Sequence, residues 1–522
     1  MTDISTLRGF YEIAAADPGR RAVIGPDGSV TTYGDLLARV NRISHGLAAL
    51  GAGPGSVVAG VLPNDVDALA LMLATGQSGM YYTPVNWHLT ASEIAYIVAD
   101  CEAAAVVAGT AYASAVSDAC DEAGIAADRR FAAPSAPGFR PLADLEAGMP
   151  ASAPPDRRAG TVMWYTSGTT GRPKGVQRPL PPNPPEEIVP LYLWFFGEVC
   201  DLAPGDAVHL VTSPMYHSAP SAHALFALHF GHTVLIAPRF EPTLVLDLIG
   251  RYKVDNTMMV PTMFHRLLAL PPDIRARYDV SSLKQVIHTA AACPVAVKQA
   301  MMDWWGPVLY EYYGSTESAV AFAVKPHEWL ARPGTVGRPA PTFEARVLSE
   351  DGEELPPGEP GLVYVKMALG RFEYRKDPEK TAGTMRGEWY TPGDIGYLDE
   401  DGYLFICDRR TDLIISGGVN IYPAEIEAAF LEHPAVADIA VIGVPDPEWG
   451  HNVVALVQPA PGVVPGESLT KDLLAHCEPR LAHFKHPKHI VYREELPRTP
   501  TGKLSRTTVR TQYLKEAGIP TP

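Results

Sequence analysis

Residues 165–175 read Tyr-Thr-Ser-Gly-Thr-Thr-Gly-Arg-Pro-Lys-Gly and follow directly on an apolar run, TVMW, that reads as a strand. Glycines let backbone amides turn inward, while Ser/Thr hydroxyls and a lysine ammonium add donors, so the segment suits phosphate oxygens better than a plain polar turn would. It is not a Walker loop, because Pro173 precedes Lys174 and Gly175 follows it. A second cluster, Tyr312-Tyr313-Gly314-Ser315-Thr316-Glu317, offers a flat ring for a purine, a glycine for close approach, and oxygen ligands for a phosphate and its Mg²⁺. A third, Tyr390-Thr391-Pro392-Gly393-Asp394, sets a carboxylate behind a Pro-Gly turn, where it could accept both hydroxyls of a ribose. The nearby DEDG at 399–402 reads only as a hairpin tip. The fourth, Pro497 to Lys503, puts a lysine on a turn braced by proline and glycine; in isolation such a lysine is normally just solvated surface.

The elements that must position these clusters follow an α/β rhythm. VVAGVLP, AAAVVAG, DAVHLVTSP, HTVLIAP and QVIHTAA read as buried strands, each flanked by helix-like segments, the pattern of layered α/β architecture. Pro179 to Pro185 holds five prolines in seven residues and must be a loop. From Ile421 the pattern restarts as a small unit: YPAEIEAAFLEHP is helical, VADIAVIGVP and HNVVALVQP are strands, and SLTKDLLAHCEPRLAHF is helical. With 522 residues the chain exceeds what one core usually serves, so a division into at least two domains is expected.

A formal net charge of -16 repels nucleic acid and anionic membrane surfaces, so phosphate must be held locally. The six cysteines, at 101, 120, 200, 293, 407 and 477, form no CxxC pair, which argues against a zinc ribbon and a secreted disulfide framework. No apolar run approaches the roughly 20 residues that span a bilayer. With no basic-then-apolar leader and no peroxisomal tripeptide, a cytoplasmic protein without stable membrane insertion is expected. Dimers are a fair expectation for soluble enzymes.

Taken in order, the four clusters resemble the adenylate-forming superfamily of acyl-CoA synthetases, nonribosomal peptide adenylation domains and beetle luciferases, over nearly the whole chain from Tyr33 to Lys503. The resemblance implies a large N-terminal domain, residues 1–409, of stacked α/β subdomains plus a β-barrel-like part. A small mobile α+β C-terminal lid, residues 410–522, would complete the fold. It implies that Thr166, Ser167, Gly168, Thr169, Thr170 and Lys174 hold the β- and γ-phosphates of ATP, with Thr169 and Glu317 positioning Mg²⁺. Tyr313 and Gly314 would face adenine, Thr316 the α-phosphate, and Asp394 and Arg409 the ribose. Lys503 would bridge the substrate carboxylate and α-phosphate, stabilising charge in adenylation. After the lid rotates, the loop at Gly417 and Gly418 would border the pantetheine of CoA.

Three departures from the family pattern stand out. The adenine-side Gly-Ala-Pro appears as Ala290-Ala291-Ala292, the hinge Asp or Lys as Thr411, and the CoA-side Lys-Arg-Pro-Lys as Lys485-His486-Pro487-Lys488. Met215-Tyr216-His217-Ser218 matches the segment between acid and nucleotide, with His217 as an aromatic gate; the bland alternative is a packed core histidine. Relatives that activate amino acids commonly have aspartate there, so its absence disfavours amino acids. Trp194, Phe195, Tyr216, Met263, Phe264 and Tyr312 are candidates to line a pocket for a fatty, steroidal or aryl acid. His223, His229 and His232 share the neighbourhood, yet core packing explains them better than a metal does. The expected reaction joins a small carboxylic acid to CoA through an acyl-adenylate. A carrier-protein pantetheine acceptor, a luciferase-like oxygenase and a silent scaffold are the alternatives, the last disfavoured by the presence of Lys503, Glu317 and Asp394 together.

Overall fold

A computed structural model describes residues 4–166, 173–368, 371–416, 419–447, 449–498 and 504–519. Two large sheets dominate. The first has nine strands; its centre, Val208–Val211, Thr233–Ile236, Asn256–Met259, Gln285–His288 and Leu309–Tyr313, is parallel. The second has six strands, all paired in parallel. Parallel strands are covered on both faces, and so Val57–Val61 is apolar and buried at every position rather than alternating.

Helices Tyr33–Ala49, Val66–Gly76 and Ser218–His229 share one core with both sheets. The phenol of Tyr33 locks that core by donating to the carbonyls of Leu228 (2.9 Å) and His232 (2.8 Å). The nine-stranded sheet carries distinct packing on its two faces. Ile287, Tyr310 and Tyr312 face helix Pro185–Cys200, whereas Val286, Leu309 and the helices Pro242–Tyr252, Pro261–Leu268 and Val295–Trp305 build another core. Side chains alternate along a strand, so neighbours such as Glu311 and Tyr312 serve opposite layers.

A three-stranded antiparallel sheet joins Trp164–Thr166, Lys174–Gln177 and Glu373–Tyr374, and a six-stranded antiparallel sheet contains Asp394–Leu398 and Leu404–Arg409. The last part is α+β. Strands Val436–Asp446, Gly450–Pro459 and His489–Tyr492 form one sheet, whose two apolar clusters draw only on residues beyond 413. No helix among the described residues is long and apolar enough to cross a membrane. All six cysteines are free thiols.

Candidate functional site

The glycine-rich segment is held by its ends. Thr166 and Lys174 are register partners in the antiparallel pair, and the Thr166 hydroxyl donates to the Lys174 carbonyl at 3.5 Å. Ser167, Gly168, Thr169 and Thr170 lie outside the described residues. The hairpin is anchored from outside by Tyr165, which donates to Asp100 at 2.6 Å, and by Arg375, which reaches the Asp100 carbonyl (2.8 Å) and Gln177 (3.1 Å). Lys174 pairs with Asp377 at 3.0 Å. The hydrogen bond from that ammonium to Asp377 raises the lysine pKa above its ordinary value.

Beside this hairpin, the strand Leu309–Tyr313 delivers the second cluster. A Cβ on Gly314 would lie 1.7 Å from the Ala319 carbonyl oxygen, so this position must be glycine to let its own turn close. Ser315 and Ser318 fasten the turn: the Ser315 amide donates to the Ser318 hydroxyl at 3.0 Å. Glu317, 7 % exposed, accepts from the Tyr374 phenol at 2.7 Å. Arg178 donates to the carbonyls of Thr316 (2.8 Å) and Glu317 (2.9 Å), fixing the backbone that aims both side chains. Burial lowers the pKa of Arg178, with only partial compensation from Tyr192, Glu317 and Tyr390. Tyr390 lies 3.1 Å from the Ser315 hydroxyl.

Asp394 and Arg409 are also register partners, and the guanidinium sits 3.2 Å from the carboxylate. The second Asp394 oxygen accepts from the phenol of Tyr313. Burial, reinforced by Asp394, pushes that phenol well above its usual range. Ala290, Ala291 and Ala292 are exposed beyond strand Gln285–His288, and Ala290 adopts φ 78°, the left-handed region that glycine tolerates best. Beneath them Lys298, fully buried, donates to Glu311 at 2.6 Å and stands 4.8 Å over the Trp329 ring. This pair ties the helix after Ala292 to the strand that ends at Tyr313.

On the acid side, His217 is the N-cap of Ser218–His229, and its ring meets Tyr216 at 4.2 Å. Tyr216 packs edge-on against Trp87 (4.4 Å), which stacks on Tyr112 (5.6 Å). Burial pushes the Tyr216 phenol up to about 12, leaving it neutral. Tyr312 stacks on His223 at 5.9 Å, and Phe196 meets the same histidine edge-on at 5.4 Å. Trp194 and Phe195 are half-buried beside them. Phe264 does not join this wall, and Met263 touches only its approach, where its sulfur accepts from the hydroxyls of Thr212 (3.7 Å) and Ser213 (3.8 Å) ahead of Tyr216. Phe264 packs in the core on the other side of the sheet, where it is fully enclosed, because helix Pro261–Leu268 covers the opposite face. His209, His223 and His229 are driven by burial down to about 4, 3 and 3. They are packed neutral rings, and among the described residues no group of three or more His, Cys, Asp or Glu could hold a metal.

In the last part of the chain Lys503, Gly417 and Gly418 lie outside the described residues. Leu504 is bridged to Arg498, which pairs with Asp438. Lys485 is spent on Glu425 (2.6 Å), and the His486 ring meets the Leu481 carbonyl at 3.1 Å, which leaves Lys488 as the exposed cation of that trio.

Arg178, Tyr374, Asp377, Trp87 and Tyr112 are not singled out by sequence reasoning, and Tyr390 enters it only as the start of the cluster that ends at Asp394. Arg178 directly follows strand Lys174–Gln177, and this nearness to Lys174 is the one available signal. The others reach the site through sheet pairing and packing across long separations.

The chain is similar to known proteins along almost all of its length. The AMP-binding enzyme family profile matches residues 10–369, and that of the AMP-binding enzyme C-terminal domain matches 425–503. A feruloyl-CoA synthase from Amycolatopsis sp is 34% identical over 95% of this chain and 98% of its own. An indoleacetate–CoA ligase from Aromatoleum aromaticum is 32% identical over 95% and 96%. The ATP-bound structure of MatB from Rhodopseudomonas palustris superposes with a TM-score of 0.83 at 30% identity, covering 97% of this chain and 99% of that one. With these matches, the chain belongs to the AMP-binding enzyme family, as an AMP-forming acid–CoA ligase of the acyl-CoA synthetase kind within the adenylate-forming superfamily.

Proposed function

We propose that this ligase activates an aromatic or arylalkyl carboxylic acid. The observation that carries the acid class is the aromatic wall of Trp87, Tyr112, Tyr216 and His217, together with a second aromatic cluster that joins Phe195 and Phe196 of helix Pro185–Cys200 to Tyr312 of strand Leu309–Tyr313. The aryl acids in the names of the feruloyl and indoleacetate enzymes support the same class. Flat rings gain most from edge and stacking contacts, which favour an aryl over a simple alkyl substrate.

In the first step the acid's carboxylate oxygen attacks the α-phosphorus of ATP, an acyl–O–P bond forms, and pyrophosphate leaves. Lys174 and the hydroxyls at 166–170 receive the β- and γ-phosphates, Tyr313 covers adenine, Asp394 and Arg409 take the ribose, and Thr316 meets the α-phosphate. Lys503 neutralises charge that grows on the reacting oxygens. Glu317 suits Mg²⁺, a hard cation that takes one or two protein oxygens and fills its shell with phosphate and water; Thr169 would be the other protein donor. When bound, that ion would offset phosphate charge. In the second step the CoA thiol sulfur attacks the acyl carbon, the thiol proton passes to solvent, and AMP leaves.

On this reading the lobe boundary falls between Arg409 and Arg410 with Thr411 as pivot, and Lys488 is the outward cation for CoA phosphates. Six separated free thiols support a cytoplasmic setting, where they would stay reduced. The test is pyrophosphate release over a panel of aryl, arylalkyl, fatty and steroidal acids, with free CoA or a carrier-protein pantetheine as acceptor. Aryl acids with CoA should lead. A preference for long alkyl acids would sink the acid class, and turnover only with the carrier protein would sink the acceptor.

A further inference from the structure

The linker between the two parts of the chain is clasped by one guanidinium. Arg506, in helix Arg506–Glu516, binds Glu427 through Nε (2.9 Å) and Nη2 (2.6 Å), and its Nη1 lies 3.0 Å from both Asp408 and Asp412. These groups come from different places. Asp408 belongs to strand Leu404–Arg409, Asp412 follows Thr411, and Glu427 sits in helix Pro423–Leu431. Asp408 is 5 % exposed, and its other oxygen accepts from the Ala424 amide at 2.8 Å, in the first turn of that same helix. One buried carboxylate from before the pivot therefore grips two elements from after it.

We propose that Asp408 and Arg506 form a releasable latch, with Arg506 the positioning residue that holds the small lobe where Lys503 can reach the nucleotide. The inference rests on Thr411 being the pivot of the proposed reaction. Arg506 lies three residues beyond Lys503 in sequence, and Leu504 between them is bridged to Arg498.

Three carboxylates around one guanidinium explain why release is feasible. Rotation about residue 411 carries Arg506, Asp412 and Glu427 together and leaves Asp408 behind. The guanidinium keeps two partners and Asp408 gains water, so neither charge is stranded in the interior. An isolated buried pair split by the same motion would lose its compensation on both sides.

The test uses full-length Asp408→Asn, which can still accept from the Ala424 amide, and Asp408→Ala, which cannot. Pyrophosphate release should fall by about tenfold or more in Asp408→Ala and less in Asp408→Asn, as expected for losing a buried charged contact. Thioester formation from supplied acyl-adenylate should stay within about twofold, since it does not need the latched state. Tryptic cleavage after the exposed Arg410 should accelerate in both variants, and Arg506→Lys should restore part of the first step relative to Arg506→Met. Equal loss of both half-reactions, or unchanged cleavage with unchanged first-step rate, overturns the latch. A wild-type enzyme that adenylates none of the acids would sink the proposed substrate while the cleavage comparison still judges the latch.

Discussion

The Tyr313 phenol donates to the Asp394 carboxylate across 81 residues of sequence, and Arg409 meets the other oxygen of that carboxylate at 3.2 Å. The proposed adenine-stacking ring and ribose-binding carboxylate are thus one hydrogen-bonded unit. Tyr313→Phe keeps the ring and frees one oxygen, so the KM for ATP should change by no more than about threefold, whereas Tyr313→Ala should raise it by about tenfold through lost stacking. Asp394→Asn should raise it as well. Initial rates against ATP concentration check this, and a Phe variant as impaired as the Ala variant would show that the ring does not stack on the nucleotide.

Ala290 holds φ 78° in an exposed turn where the family pattern has glycine. The left-handed conformation costs a residue with a Cβ roughly 1–2 kcal/mol. Ala290→Gly should therefore raise stability by about 1 kcal/mol after glycine's larger unfolded-state entropy is subtracted. Thermal unfolding measures it; an unchanged or lower midpoint would mean that the turn is not strained.

How much was legible from sequence follows from the range of each interaction. The four clusters are local, and a loop such as 165–175 declares its donors in consecutive residues. The α/β rhythm was equally plain because buried parallel strands are apolar at every position, as in Val57–Val61. Partners set by topology stayed hidden. Tyr374 reaches Glu317 from 57 residues away, and Arg178 reaches the same turn across 139. The pocket list failed in one informative way: Phe264 and Tyr312 are both apolar rings on elements of one sheet layer, and only the strand order and helix placement assign them to opposite faces. Lys485 likewise looked available from sequence, but folding pairs it with Glu425.

Stability should fall with acid through the buried histidines. His223 is pushed by burial down to about 3, against an ordinary value of 6.5. A depressed value means that the unfolded chain binds the proton first, so stability is complete above 6.5 and is lost as pH drops from there toward the folded value. One such group contributes a slope of about 1.4 kcal/mol per pH unit in that window. His209 and His229 act in the same sense, while the buried carboxylates Glu311 and Glu427, raised by burial, act in the opposite one. The difference between wild type and His223→Phe isolates a single proton. The variant's denaturation midpoints from pH 6.5 to 4.5 should decline less steeply, and parallel curves would show that His223 is protonated in the native protein.

Lys174 is not idle before ATP arrives, because it is paired with Asp377 at 3.0 Å. If this ammonium receives the nucleotide's outer phosphates, it must exchange Asp377 for them, and the pair then weighs against binding. Asp377 also accepts from the Lys380 amide at 3.0 Å as the N-cap of helix Pro378–Gly383, so alanine would confuse charge with capping. Asp377→Asn keeps a cap and removes the charge. Both partners are partly exposed, at 30% and 23%, and such a pair is worth at most about 1 kcal/mol, so the KM for ATP should fall by about fivefold or less. Lys174→Ala should raise it. The two changes must also be coupled: with Lys174 already removed, Asp377→Asn has no competitor to release and should leave the KM for ATP unchanged. If Asp377→Asn instead raises the KM in both backgrounds, Asp377 serves the nucleotide directly, and the Lys174 contact only braces the hairpin.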